Sequence, residues 1–84
     1  MDISMITFRS ITPAQRAETL LRKKGYYSSI GRTPKWMQKE GCGYSLRIRS
    51  QDAPTCVQIL RENRVDFKKV YLLRDNGKAE EIVL

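Results

Sequence analysis

The stretch Ile6-Thr7-Phe8-Arg9-Ser10 has a counterpart 40 residues further along the chain, Leu46-Arg47-Ile48-Arg49-Ser50. In both stretches apolar residues alternate with polar ones, which is typical of a strand with one face on a core. The same offset pairs further residues: Thr12 with Asp52, Leu20 with Leu60, Lys24 with Arg64, Tyr27 with Phe67, and Ile30 with Val70. This repeat predicts a domain built from two equivalent halves.

The first half reads as a strand, a helix and a second strand. Residues 3–9 alternate as a strand does, and Thr12 is the expected cap of a helix that Gly25 ends in a left-handed conformation. Residues 26–33 predict the second strand, with Tyr27 pointing into the core. Residues 34–40 carry mixed charge and one Trp and are interpreted as a loop.

The second half repeats this order. It predicts a strand (residues 44–49), a helix capped by Asp52 that ends near Arg64, and a long strand (residues 65–74). Asp75-Asn76-Gly77 is a hairpin turn signal, so residues 78–84 predict a short edge strand.

Two such units joined head to tail predict an α+β fold. We expect a ferredoxin-like βαββαβ sandwich with two helices on one face of an antiparallel four-stranded sheet, and with an extra C-terminal edge strand. Right-handed crossovers place the first and third strands side by side at the centre. The expected domain spans residues 1–84, with half-repeats at about 3–33 and 43–74.

Composition limits the classes of function. The 84 residues suffice for one small domain, and the net charge of +7 is concentrated in residues 9–49, which hold ten basic and two acidic side chains. This asymmetry favours an anionic partner, although net charge also serves solubility. Two cysteines and no His exclude a disulfide framework and argue against a metal site, so no metal or cofactor is expected. We expect a reducing, cytoplasmic setting, with no membrane segment and no signal peptide.

Cys42 is the first candidate for chemistry. Basic neighbours lower the pKa of a thiol without any histidine, and the flanking glycines leave its sulfur uncovered. The candidate anion- or partner-binding residues around it are Gly41, Gly43, Arg32, Lys35, Trp36, Lys39, Arg47 and Arg49. The alternative is an inert buried thiol, which is how we interpret Cys56 on the apolar stripe of the second helix. Trp36 either marks a partner surface or covers a core edge.

A nucleic-acid-binding module is the second interpretation of the sequence. RNA-binding modules of this topology display aromatics on the two central strands, whereas residues 39–46 keep only two glycines and Tyr44 of that pattern. Arg9, Arg47 and Arg49 on the open sheet face could still contact phosphates.

The layout of the chain resembles a known family. Ile6-Thr7-Phe8 before an Ala-containing helix, Gly25 at its end, Arg32-Thr33-Pro34 before the loop and Cys42-Gly43 at the next strand are similar to the selenium/sulfur carrier-like family. The resemblance covers about Met5 to Arg74 and implies that Cys42 is the carrier thiol and that sulfur-transfer proteins are its partners. Lys39-Glu40-Gly41 departs from the small polar residues that often precede this Cys in the family.

These observations lead to one hypothesis and two alternatives. The hypothesis is a non-enzymatic sulfur or selenium carrier that holds a persulfide on Cys42 and receives it from a protein such as a cysteine desulfurase. The alternatives are a nucleic-acid or anion-binding module that uses the basic sheet face, and a regulatory ligand-binding homodimer that associates through its sheet.

Overall fold

The computed structural model describes residues 2–33, 43–74 and 78–84. Its elements in chain order are β1 (Ile3–Phe8), α1 (Ile11–Lys23), β2 (Ser28–Arg32), β3 (Tyr44–Arg49), a 3-10 turn (Ser50–Asp52), α2 (Ala53–Glu62), β4 (Val70–Leu73) and β5 (Ala79–Ile82). The predicted loop at 34–40 and the predicted turn at 75–77 lie outside the described residues.

The strands form one antiparallel sheet in the order β2-β3-β1-β4-β5. The α+β class is confirmed, and β1 and β3 are the paired central strands that the sequence predicts. Among the described residues the sheet has five strands, because the predicted C-terminal edge strand is present and pairs with β4 along its whole length, with Val70 opposite Ile82 and Leu73 opposite Ala79.

The core lies between one face of this sheet and the two helices. Its central row crosses four strands, from Ile30 through Leu46 and Ile6 to Val70. Each helix buries one apolar stripe against it: Ala14, Ala17 and Leu21 from α1, with Leu20 partly buried beside them, and Ala53, Cys56, Val57 and Leu60 from α2. Residues at three- and four-residue spacings share one helix face, which is why these stripes reach the same core.

Helix α1 begins earlier than the predicted cap. Ser10, rather than Thr12, occupies the N-cap position, and its side chain makes no capping hydrogen bond. Pro13 therefore lies inside the first turn. A proline fits anywhere in that turn because its missing N–H would have no intrahelical acceptor, so it locates a helix start only to within a few residues.

The prediction that Tyr27 points inward is wrong, because Tyr27 is 48% exposed. Gly25 ends α1 in the left-handed conformation, with φ of 88°, as predicted. The turn continues with a hydrogen bond from the Tyr26 N–H to the Leu21 carbonyl (2.9 Å), and Tyr26 packs against the core. A left-handed helix end commonly brings the next side chain back onto the last turn, so Tyr26 takes the inward position.

The long strand predicted over residues 65–74 is reduced to β4 by a bulge. The Thr7 N–H donates to the Lys69 carbonyl (2.8 Å), but the Thr7 carbonyl accepts from the Lys68 N–H (2.7 Å). Two residues thus face one, which is the definition of a β-bulge. The Thr7 hydroxyl accepts from the displaced Lys69 N–H at 3.1 Å.

Helix α2 is shorter than predicted, ending at Glu62, and Asp52 sits at its N-cap without a side-chain capping bond. The chain leaves α2 through Arg64, whose φ is 56°, followed by a hydrogen bond from the Val65 N–H to the Leu60 carbonyl (2.9 Å). Arg64 and Val65 thus repeat the roles of Gly25 and Tyr26 at a spacing of 39 rather than 40.

Candidate functional site

The end of the β2–β3 hairpin is the part of the described chain nearest in sequence to Cys42. The Thr33 N–H donates to the Gly43 carbonyl (3.1 Å), which extends the β2–β3 pairing to the residue that directly follows Cys42. A Cβ added to Gly43 would meet no atom of the described residues within 4 Å, so packing against this part of the chain does not demand a glycine there. The predicted site residues Lys35, Trp36, Lys39, Gly41 and Cys42 lie outside the described residues.

The described cationic candidates spread along the sheet. Arg32 is exposed at the hairpin end, where it pairs with Tyr44. Arg47 and Arg49 lie four and six residues beyond Gly43, about 13 and 20 Å along the extended strand. Arg49 has its guanidinium carbon 5.7 Å from the centre of the Tyr27 ring. The structure therefore brings Arg32 close to Gly43 and separates Arg49 from it.

The sheet face opposite the helices lacks aromatic side chains on its central strands. The register places Ile3, Met5 and Thr7 of β1 beside Arg49, Arg47 and Ser45 of β3. The prediction that this face is open is wrong at Met5, Thr7 and Ser45, which are buried, whereas Arg47 and Arg49 are exposed. Tyr44, the aromatic that the comparison with RNA-binding modules depends on, packs against the core instead. Stacking of bases on the central strands therefore has no platform among these residues.

Cys56 is buried in the core as predicted. Burial is the larger cause that raises the pKa of its thiol to about 11, and the nearby Asp52 carboxylate adds to the shift. The reactive species of a cysteine is the thiolate, so this thiol is unreactive at neutral pH in the folded protein.

A basic groove opens at the same end of the sheet as Gly43. Phe8 pairs with Tyr44, so Arg9, which follows Phe8, and Gly43, which precedes Tyr44, leave the sheet at the same end. The groove has a volume of about 530 Å³, and its charged lining consists of Arg9, Arg16, Arg64, Lys68 and Asp66.

Sequence reasoning missed this groove. It placed Arg9 on the open sheet face and did not connect it with the other three cations, which lie far apart in the chain and meet only through the fold. One sequence signal could have indicated it: Arg9 and Arg16 lie on either side of Pro13, the residue that marks the start of the helix in the sequence.

The described residues contain neither a metal-binding cluster nor a helix suited to cross a membrane. Within residues 2–33, 43–74 and 78–84, no three side chains of the metal-binding types come together. None of the helices in this part of the chain has the length and apolar character needed to cross a bilayer.

Comparison with known proteins identifies the family. Residues 4–72 match the model of the family described as "Putative Se/S carrier protein-like", which covers most of the chain, including β1 through most of β4. No curated protein and no solved structure matches the chain. The chain therefore belongs to the Se/S carrier protein-like family.

Proposed function

We propose that this protein is a carrier that holds sulfur as a persulfide, or selenium in the equivalent form, on Cys42 and passes it between partner proteins. It is proposed to act without catalytic turnover of its own, in a reducing cytoplasm. A cysteine desulfurase is the class of donor that we propose for sulfur.

The burial of Cys56 is the observation that carries this proposal. Family membership implies a carrier thiol, and the chain has two cysteines. Cys56 is fully buried with a raised pKa, so it offers neither access nor thiolate. Cys42 is then the remaining candidate, and the next residue along the chain, Gly43, ends a well-paired hairpin.

The proposed sulfur transfer needs no external oxidant, because the sulfur is already at the oxidation level of a persulfide on the donor. The Cys42 thiolate attacks the outer sulfur of a persulfide on the donor, the S–S bond of the donor breaks, and a new S–S bond forms on Cys42. The donor leaves as a thiolate with the charge that the attacking thiolate brought, and the outer sulfur keeps the proton or negative charge that it carried on the donor.

The cations before and after Cys42 in the sequence suit two roles: they favour the thiolate of the carrier cysteine, and they dock a partner protein. Positive charge favours the thiolate over the thiol, and complementary charge steers an acidic partner surface. We propose Arg32, Lys35 and Lys39 for the first role. Arg47, Arg49 and Trp36, together with Gly41 and Gly43, are proposed for docking.

We also propose the ferredoxin-like arrangement of two half-repeats as the framework of this carrier. The order of the first four strands, with β1 and β3 central, supports it. So does the pairing of residues at equivalent positions of the two halves, Ile6 with Leu46.

Intact-protein mass spectrometry tests the proposal. The protein is incubated with a cysteine desulfurase and L-cysteine, and the adduct is mapped to a residue. We expect the mass of one added sulfur on Cys42 in the wild type and in Cys56→Ala, reversed by dithiothreitol, and none in Cys42→Ser. An unmodified Cys42 under desulfurase turnover would contradict the proposal.

The two alternatives find less support. Tyr44 is turned into the core, which weakens the base-stacking reading. For a dimer formed by strand addition at β2, the outward Ile30 N–H is already bonded to the Glu18 carboxylate (2.9 Å) and the Ser28 carbonyl to Arg22 (3.1 Å). An edge whose backbone groups are already bonded is a poor template for another strand.

A further inference from the structure

The groove at the Gly43 end of the sheet gathers positive charge from separate parts of the fold. Arg9 follows β1, Arg16 belongs to α1, Arg64 follows α2, and Lys68 lies in the bulge before β4. Asp66 is the single carboxylate in its lining, so four cations face one anion. A cleft lined by one sign of charge concentrates ions of the opposite sign.

The cations of this groove have no protein partners among the described residues. Within this part of the chain, none of the four side chains forms an ion pair, a hydrogen bond or a ring contact. Three cations elsewhere have carboxylate partners: Arg22 with Glu18 (3.7 Å), Arg74 with Glu80 (2.8 Å) and Lys69 with Glu81 (3.3 Å). The four cations of the groove have none among the described residues and are available to a ligand.

The remaining lining of the groove suits an oxyanion on a small molecule. Ser10 and Thr12 add hydroxyl groups, and Pro13 and Phe67 add apolar walls. The first turn of α1, which carries no acidic side chain, also opens here. A volume of about 530 Å³ is within the range of small-molecule sites.

Arg64 gives an independent sign that the groove is built for binding. It ends α2 with φ of 56°, a conformation that costs a side-chain-bearing residue about 1–2 kcal/mol and that glycine adopts freely. At the matching position α1 has Gly25. An arginine at this position places a cation in the groove at the expense of stability, as is common at functional sites.

We propose that this groove binds a small phosphorylated molecule, with its phosphate held by Arg9, Arg16, Arg64 and Lys68. Arginine forms two parallel hydrogen bonds with a phosphate, and the cluster supplies three arginines. The proposal does not depend on the proposed carrier thiol.

Titration of the full chain with inorganic phosphate and with adenosine monophosphate tests the proposal. Backbone and arginine side-chain resonances are followed by NMR at constant ionic strength. We expect saturable shifts at Ile11, Thr12 and Ala14 and at the Nε groups of Arg9 and Arg16. Arg9→Gln and Arg16→Gln are each expected to weaken binding about tenfold, the loss of one charge-assisted contact.

Arg74→Gln is the matched control, because it removes the same charge at the end of β4 that lies away from the groove. Its affinity for phosphate should stay within about twofold of the wild type, as expected for a charge outside the site. Equal weakening by Arg74→Gln, shifts that do not saturate, or a short single-stranded oligonucleotide that binds far more tightly through the same arginines would each overturn the proposal. Cys42→Ser should bind phosphate like the wild type, which keeps this test separate from that of sulfur transfer.

Discussion

Ile6 and Leu46 face each other directly across the two central strands, and they stand 40 residues apart in the chain. Their outer neighbours in the same row, Ile30 and Val70, are also 40 residues apart. An approximate twofold relation therefore passes between Ile6 and Leu46 and maps the row Ile30–Leu46–Ile6–Val70 onto itself. This relation supports the proposal of two half-repeats.

Truncation of either member of this pair should strongly destabilise the fold. Both side chains are fully buried, and Ile→Ala or Leu→Ala in a core costs about 2–5 kcal/mol. Urea unfolding of Ile6→Ala and Leu46→Ala should show losses in this range, and the double variant should deviate from additivity because the two residues are direct cross-strand neighbours. Exposed Arg47→Ala should stay within about 0.5 kcal/mol. Losses below 1 kcal/mol in both core variants would contradict the central position of the pair.

The strands and the helix stripes were predictable because local periodicity determines them. Ile6, Phe8, Leu46 and Ile48 alternate with polar residues and all four are buried, as the alternation predicts. The prediction of an inward Tyr27 failed because the spacing between equivalent residues of the two halves changes from 40 to 39 across the helices. Across the helices the matching spacing is 39, since Ala14, Ala17 and Leu21 correspond to Ala53, Cys56 and Leu60, and this is why Tyr26 rather than Tyr27 turns inward.

The bulge restores the spacing of 40 before β4. One extra residue at Lys68–Lys69 separates the end of α2 from Val70, and no sequence signal marks it. The full set of cations in the groove could not be predicted for a similar reason. Arg9 and Arg64 are distant in the chain, and only the packing of both helices on one face brings them together. Cys42 could be singled out from the sequence, while its chemistry remains a proposal.

The bulge should depend on the Thr7 hydroxyl. This group is buried and accepts a hydrogen bond from the Lys69 N–H (3.1 Å), which the bulge removes from the regular ladder. Thr7→Val keeps the shape of the side chain but leaves that N–H without its partner, so we expect a loss of about 1–3 kcal/mol in denaturant unfolding. Thr7→Ser keeps the hydroxyl and loses one methyl group, at a cost of about 1 kcal/mol. If both variants lost the same free energy of unfolding, the Thr7 side chain would stabilise the bulge by packing rather than by its hydrogen bond.

Exchanges at the two helix ends should change stability in opposite directions. Arg64→Gly relieves a left-handed arginine and should raise the free energy of unfolding by about 0.5–1 kcal/mol. Gly25→Ala introduces the same strain at φ of 88° and should lower it by about 1–2 kcal/mol, without a steric clash because an added Cβ meets no atom within 4 Å. Urea unfolding measures both. A destabilised Arg64→Gly would show that the arginine side chain contributes more to folding than its backbone strain costs.

The Cys56 thiol should make stability fall at alkaline pH. Its pKa is about 11 in the folded protein against 9.0 for an ordinary thiol. Below pH 9 both states keep the proton, and between about pH 9 and 11 the unfolded chain loses it first, so the free energy of unfolding should fall by up to about 2–3 kcal/mol. Cys56→Ala lacks this group and is otherwise the same chain, so it is the matched control. Urea unfolding at pH 8, 9.5 and 11 should therefore show a steeper loss in the wild type than in Cys56→Ala, and parallel curves would mean that the thiol is not desolvated in the folded state.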